Sequence, residues 1–242
     1  MITNFIIQHH LENSIVGKLY FEKAAPLVSR YKRHSHNMKM QKLIKAYGLP
    51  CLSTIYAICK KHNSNVWLEY GSMLGAYREH GFIPFDYDID LGMYADEFTP
   101  ELQREFFDAG FSIRRIFYQV RNLDENTKFI TEYTLCYKGL LIDIFLNFRE
   151  NGFRTAYGYE EHLGVEKMER NIYGAQIFKI KDSPIDEINF LGVKFGIPQN
   201  TEECLKFYYG DKFMTPIEGY KRPTDDLNMP YEEAFGEMYG AW

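Results

Sequence analysis

The chain has only four cysteines in 242 residues. No two of them form a Cys-x-x-Cys pair, and Cys51, Cys59, Cys136 and Cys204 each sit among apolar or aromatic neighbours. Neither a zinc knuckle nor a disulfide framework is expected; buried free thiols in a reducing compartment are. Basic charge is also in short supply, with 28 Lys and Arg against 33 Asp and Glu and a formal net charge of −5. A nucleic-acid partner, gripped through an excess of Lys and Arg, is therefore not expected. Long hydrophobic runs are missing as well. The opening stretch Met1 to His10 is too short in its apolar run for a signal peptide and lacks leading basic residues, and no transmembrane span is found. A cytoplasmic protein without an integral membrane segment is the expectation. Repeats, low-complexity tracts and linker-like stretches are lacking too, which leaves a globular chain with one large core or two modest domains.

Aromatic residues are plentiful, with 19 Tyr and 19 Phe. They suit a core, and they also offer walls for stacking a base or holding a quaternary ammonium. The first fifth of the chain is locally basic, through Arg30-Tyr31-Lys32-Arg33-His34-Ser35-His36 and then Lys39, Lys42 and Lys45. That cluster reads as a solvated helix face or as a patch for an anionic ligand.

Apolar periodicity predicts helices over Met38 to Tyr47 and Cys51 to Lys61, broken at Gly48 and Pro50. Asn65 to Tyr70 reads as a strand, Gly71-Ser72 as a tight turn, and Met73 to Glu79 as a short helix closed by Gly81. Phe85 to Met93 is the next strand. Thr99 as N-cap with Pro100 at the first helical position opens a helix through Ala109, closed by Gly110. Strands follow at Ser112 to Gln119, Phe129 to Tyr137 and Leu140 to Leu146, the last two joined by a Lys138-Gly139 hairpin turn. Ala175 to Ile180 and Ile188 to Phe195 read as short strands, with Leu191-Gly192 as a bend. Asn200 and Glu203 start a helix through Tyr209, and the segment after it is loop-like.

The densest chemistry lies between Tyr70 and Met93. Asp88 and Asp90 are two apart, so an extended backbone projects both to one side, while Ile89 and Leu91 face the other way. Paired carboxylates repel unless a cation lies between them, and hard oxygen ligands suit Mg2+ or Mn2+. A calcium loop also fits in part, through Asp86, Asp88, Asp90, Gly92 and Glu97. Leu91 stands where that loop needs glycine, and Gly81 and Pro84 forbid the helix that must lead in. A third acid, Asp143, lies in the most hydrophobic stretch, Leu140 to Leu146, where an unpaired charge is costly. Its partner is either an Arg or a metal shared with Asp88 and Asp90. Gly71-Ser72 at a helix start would cradle a phosphate. The combination describes a phosphoryl-transfer site.

The run Gly71-Ser72-Met73-Leu74-Gly75-Ala76-x-Arg78-x-x-Gly81-Phe82-Ile83-Pro84-x-Asp86-x-Asp88-Ile89-Asp90 resembles the signature of the LicD/fukutin-related family, and the Asp143 strand and Tyr209-Gly210-Asp211 are similar to its later blocks. The resemblance implies an α+β fold, a nucleotidyltransferase-like mixed β-sheet flanked by α-helices. It covers roughly residues 60 to 215, so 1–62 is expected to be a helical segment packed on a catalytic domain at 63–242. The activity it implies is metal-dependent transfer of a phospho-alcohol, phosphocholine or a polyol phosphate, from a CDP-activated donor to a glycan or lipid-linked glycan hydroxyl, releasing CMP. Such a reaction belongs to lipopolysaccharide, capsule or teichoic acid biosynthesis. By the same resemblance Asp88, Asp90 and Asp143 are the catalytic and metal-binding carboxylates, and Asp86 is an accessory acid. Arg78 either steadies donor phosphate or pairs with Glu79 or Asp86. Tyr87 replaces an additional Asp found in many members, and His80 reads as a loop histidine rather than a base. The alternatives are a true nucleotidyltransferase that moves NMP from an NTP to an acceptor, and a non-catalytic, metal-stabilised binding protein.

Overall fold

A computed structural model describes residues 14, 15, 18, 20–120, 129–160, 172–217 and 234–239. Helix α1 (Ala25–Leu43) runs through a π-helical turn at Ile44–Gly48 directly into α2 (Leu49–Lys61). The break expected at Gly48 and Pro50 does not occur. Pro50 falls in the first turn of α2, where its missing N–H is not needed. Gly48 is buried, and a Cβ there would stand 2.8 Å from the Phe82 ring, so glycine serves close packing. Met40, Ile44, Cys51, Leu52, Ile55, Ile58 and Cys59 form the buried stripe that this helical arm lays on the core.

The main sheet contains β1 (Val66–Leu68), β2 (Asp90–Tyr94), β3 (Ser112–Val120), β4 (Phe129–Tyr137), β5 (Leu140–Glu150), β6 (Phe153–Glu160), β7 (Ile172–Lys181) and β10 (Ala234–Tyr239). Its order is β1-β2-β5-β4-β3-β10-β7-β6, and β6 also pairs with the far end of β5, so the sheet closes on itself. The β2–β5 pair is parallel and every other pair is antiparallel, which makes the sheet mixed. Helices α3 (Tyr70–Glu79), α4 (Pro100–Asp108) and α5 (Thr201–Tyr209) accompany it. The fold is α+β, a mixed β-sheet flanked by α-helices.

Local chemistry accounts for most boundaries. Thr99 Oγ1 accepts from Leu102 N at 3.2 Å and caps α4. Lys138 and Gly139, at φ 50° and 87°, turn β4 into β5. Leu191 and Gly192, at φ 52° and 83°, do the same between β8 (Ile185–Phe190) and β9 (Val193–Pro198), so Ile188 to Phe195 is a hairpin turn with two half-strands rather than one bent strand. Strand β6 was not legible as a strand because its run Phe153-Arg154-Thr155-Ala156-Tyr157-Gly158 lacks clean alternation. Helix α3 starts earlier than expected, at Tyr70, so Gly71 and Ser72 lie inside its first turn. His80, left-handed at φ 57°, ends it in place of Gly81. Asn200 precedes α5, but its side chain bonds Lys181 O and Ser183 rather than capping the helix.

Candidate active site

Ladder pairing in β2 begins only at Asp90, although Phe85 to Met93 was expected to be one strand. Residue 89 is nevertheless held to β5, since Asp143 N donates to Ile89 O at 2.9 Å. Ile89 is fully buried, and Asp88 and Asp90 on either side of it are partly exposed. The alternation inferred from sequence therefore holds across the start of the strand. The parallel register sets Asp90 against Asp143.

Helix α3 fixes Asp90 from both sides of its backbone. Glu69 N donates to Asp90 O at 3.0 Å, and Asp90 N donates to Ser72 Oγ at 3.0 Å. Burial first, and then the neighbouring carboxylates Asp86, Asp88 and Asp143, push both Asp88 and Asp90 well above the usual carboxylate range.

Asp143 joins the two alternatives left open by its sequence. Its Oδ1 accepts from Arg115 Nη2 at 3.1 Å and from Thr134 Oγ1 at 2.5 Å. Arg115 also donates from Nε to Thr134 Oγ1 at 2.9 Å and from Nη2 to Glu132 Oε1 at 3.0 Å. An arginine partner exists, and Asp143 still stands opposite Asp90. Glu132 is buried beside it, pushed up to about 8 by burial and Asp143 against the pull of Arg115.

Gly71, Ser72, Asp86 and Arg78 are placed differently from expectation. A Cβ on Gly71 would meet Asp86 Oδ2 at 2.8 Å, so Asp86 leans over the bare glycine at the positive end of α3. Ser72 is buried and its Oγ is engaged by Asp90 N. Arg78 does not face the acids: Nε bonds Glu79 Oε1 at 2.8 Å and Nη1 bonds Phe213 O at 3.0 Å. Its pairing reading is the one observed, because the helix spacing turns residue 78 toward the segment after α5. His80 is an exposed cap whose carbonyl accepts from Leu191 N. Glu97 bonds Asn65 instead of closing a calcium loop.

Beneath α3 lies a polar cluster that the sequence reading missed. Glu69 is fully buried and accepts from Trp67 Nε1 at 2.7 Å, Arg154 Nη1 at 2.7 Å and Tyr208 Oη at 3.0 Å. Arg154 Nη1 also bonds Asn147 Oδ1 at 2.9 Å. Thus β1, β5, β6 and α5 converge on the residue that precedes α3. Tyr70, strained at φ 39°, is packed edge-on by Phe145 and Tyr208 just before Gly71. One sequence signal pointed here: Glu69 and Glu132, like Asp143, are acids set directly beside apolar strand runs.

Asp88, Asp90 and Asp143 offer only hard oxygen donors, and their mutual repulsion is of the kind a divalent cation relieves. Among the described residues, however, no three His, Cys, Asp or Glu side chains are already gathered as a metal-holding group. The donor chemistry fits Mg2+ or Mn2+; the convergence is incomplete while Asp143 Oδ1 is tied to Arg115 and Thr134.

Carboxylates brought together from two parallel strands, beside a helix N-terminus, define a site suited to phosphate chemistry. A family model described as LicD/FKTN/FKRP, nucleotidyltransferase domain, matches residues 63–200, and the chain belongs to that family. It is 24% identical over 226 residues to the mouse (Mus musculus) protein named ribitol-5-phosphate transferase FKTN, a match covering 92% of this chain and 40% of that protein. It is 31% identical over 99 residues to the lipopolysaccharide cholinephosphotransferase LicD of Haemophilus influenzae, covering 39% of this chain and 34% of that one. The chain thus spans well under half the length of these two relatives. Among solved structures, the lincosamide antibiotic adenylyltransferase LnuA is a distant likeness, with a TM-score of 0.37, 15% identity, and coverage of 64% of this chain and 81% of that one.

Proposed function

We propose that this chain is a metal-dependent phosphotransferase that moves a phospho-alcohol from a CDP-activated donor to a glycan hydroxyl and releases CMP. The observation that carries this reading is the register of Asp90 against Asp143 with Asp88 on the same side of the strand start. Two relatives whose names specify transfer of ribitol phosphate and of choline phosphate support it.

In this reading the acceptor oxygen forms a bond to the phosphorus distal to cytidine, the bond from that phosphorus to the CMP oxygen breaks, and the hydroxyl proton passes to a carboxylate. A bound Mg2+ or Mn2+ would be held by Asp88, Asp90 and Asp143 and would neutralise the pyrophosphate. Ser72 and Glu69 keep the Asp90 backbone in place, and Arg115 and Thr134 orient Asp143. Asp86, leaning on Gly71, is an accessory acid at the helix end that a donor phosphate would approach. Arg78, paired with Glu79 and the Phe213 carbonyl, is given no donor contact in this reading. The four cysteines are free, which suits a reducing compartment such as the cytoplasm. No helix among the described residues is long and apolar enough to cross a membrane.

The test is CMP release from a panel of CDP-alcohols with Mg2+ and a glycan acceptor. Release is expected with at least one donor, and Asp90→Asn or Asp143→Asn should lower it by roughly a hundredfold or more. Full turnover in both variants would overturn the reading. Consumption of an NTP with an acceptor gaining the mass of a nucleotide would replace it with the nucleotidyltransferase that the family description also names.

A further inference from the structure

Helix α1 is the least covered element of the described fold. Every residue from Pro26 to His36 is exposed, and burial begins only at Met40. Its outward side is not the polar surface that such exposure ordinarily carries. Leu27 is 67% exposed, Tyr31 74% and Met38 43%. Spacings of four and seven residues place these three side chains in one stripe, on the far side from buried Met40 and Ile44. Val28, also exposed, borders the stripe.

Charge on this helix has one sign. Arg30, Lys32, Arg33, Lys39 and Lys42 lie within Ala25–Leu43, and the same segment contains no Asp or Glu. In a chain whose net charge is −5, that is a local reversal. Arg30 and Lys42 share the outward half with the apolar stripe, Lys39 lies at its edge, and Lys32 falls on the flank nearer the core. Arg33, seven residues before buried Met40, falls on the inward side instead.

From this combination we propose that α1 docks on the surface of an anionic lipid bilayer, with Leu27, Tyr31 and Met38 entering the headgroup boundary and Arg30, Lys39 and Lys42 meeting the lipid charge. An apolar stripe bordered by basic side chains is how a helix lies in the plane of a membrane. A polynucleotide would match the basic side chains and leave the leucine and methionine unused. A soluble protein surface gains nothing from exposing four large apolar side chains on one helix. The docking also has a position. Gln41 Nε2 donates to Phe85 O at 2.9 Å, so the base of this helix is fastened beside the segment that carries Asp86 and Asp88. A chain lying on α1 would hold that acidic segment near the bilayer. The docking does not rest on phosphotransfer, because it is read by binding alone.

Co-sedimentation of the full chain with phosphatidylcholine vesicles, with and without phosphatidylglycerol, tests it. Wild type is expected to pellet with the anionic vesicles, weakly with the neutral ones, and less as salt rises. Leu27→Ser with Tyr31→Ser, and separately Arg30→Glu with Lys42→Glu, should each weaken anionic partition by roughly tenfold or more. All four positions are exposed, so unchanged melting curves should accompany that loss. Equal binding to both vesicle types, or none to either, would overturn the proposal. So would a concentration-dependent dimer, seen by light scattering and abolished by the serine pair, which would assign the stripe to a second copy of the chain.

Discussion

Arg154 donates to Glu69 across 2.7 Å with both side chains closed to solvent. Glu69 passes the constraint upward through its own backbone N–H, which bonds Asp90 O. The pair is therefore a foundation for the site as well as part of the core.

Arg154→Met should destabilise the fold by about 3–5 kcal/mol, because it strands a buried carboxylate with only Trp67 and Tyr208 as donors. The double change Arg154→Met with Glu69→Gln should recover part of that loss. Urea unfolding of the single and double variants measures the coupling, and strictly additive costs would show that the two charges do not depend on each other.

Two glycines separate site effects from packing effects. A Cβ at Gly92 would lie 2.2 Å from the Trp67 ring, so Gly92→Ala should cost roughly 1–3 kcal/mol through overpacking. At Gly71 the obstacle is the movable end of Asp86, so Gly71→Ala should change stability little and lower turnover. Denaturant midpoints and CMP release, measured on both variants, should move in opposite order of severity.

Glu132 supplies a pH dependence. Its carboxyl is raised to about 8 in the fold by burial and Asp143, so between the ordinary carboxylate range and that value the folded chain holds a proton that the unfolded chain gives up. Stability from this group is complete below the unfolded pKa and is lost as pH rises toward about 8. Glu132→Gln should flatten the fall in melting temperature between about pH 5 and about pH 8; an unchanged slope would assign that proton elsewhere.

Thiol reactivity should follow burial. Burial pushes Cys59 up to about 12, with Glu97 adding to it, and Cys51 up to about 11 against Lys138. Cys136 is only partly buried. Alkylation of the native protein at about pH 8 should label Cys136 first, with Cys51 and Cys59 labelled only after denaturation. Peptide mass spectrometry reads the order.

Much of this was visible in the chain because it is written locally. The Thr99-Pro100 start of α4, the Lys138-Gly139 turn and the full span of β4 follow from neighbouring residues. Asp88 and Asp90 follow from alternation, and Asp143 from the oddity of an acid in an apolar run. What escaped depends on distant partners. Glycine and proline normally end a helix, but at Gly48 and Pro50 tertiary packing against Phe82 and the π-helical turn carry the helix through. Arg78 was ambiguous because its choice is settled by the Phe213 carbonyl, 135 residues away. Arg115 carries no spacing that announces it, and Glu132, though set in an apolar run, does not name its partner; only the β3–β4–β5 register brings both to Asp143.

The parallel join of β2 to β5 has a consequence for the order in which the molecule is made. Hairpins such as β4–β5 can form among near neighbours, whereas Asp90 and Asp143 meet only after a long loop has closed around α4 and β3. Synthesis delivers the Asp88-Asp90 half of the site well before its counterpart. The newborn chain thus carries Asp143 apart from the Asp88-Asp90 pair, and the repulsion between them arises only when β2 and β5 join.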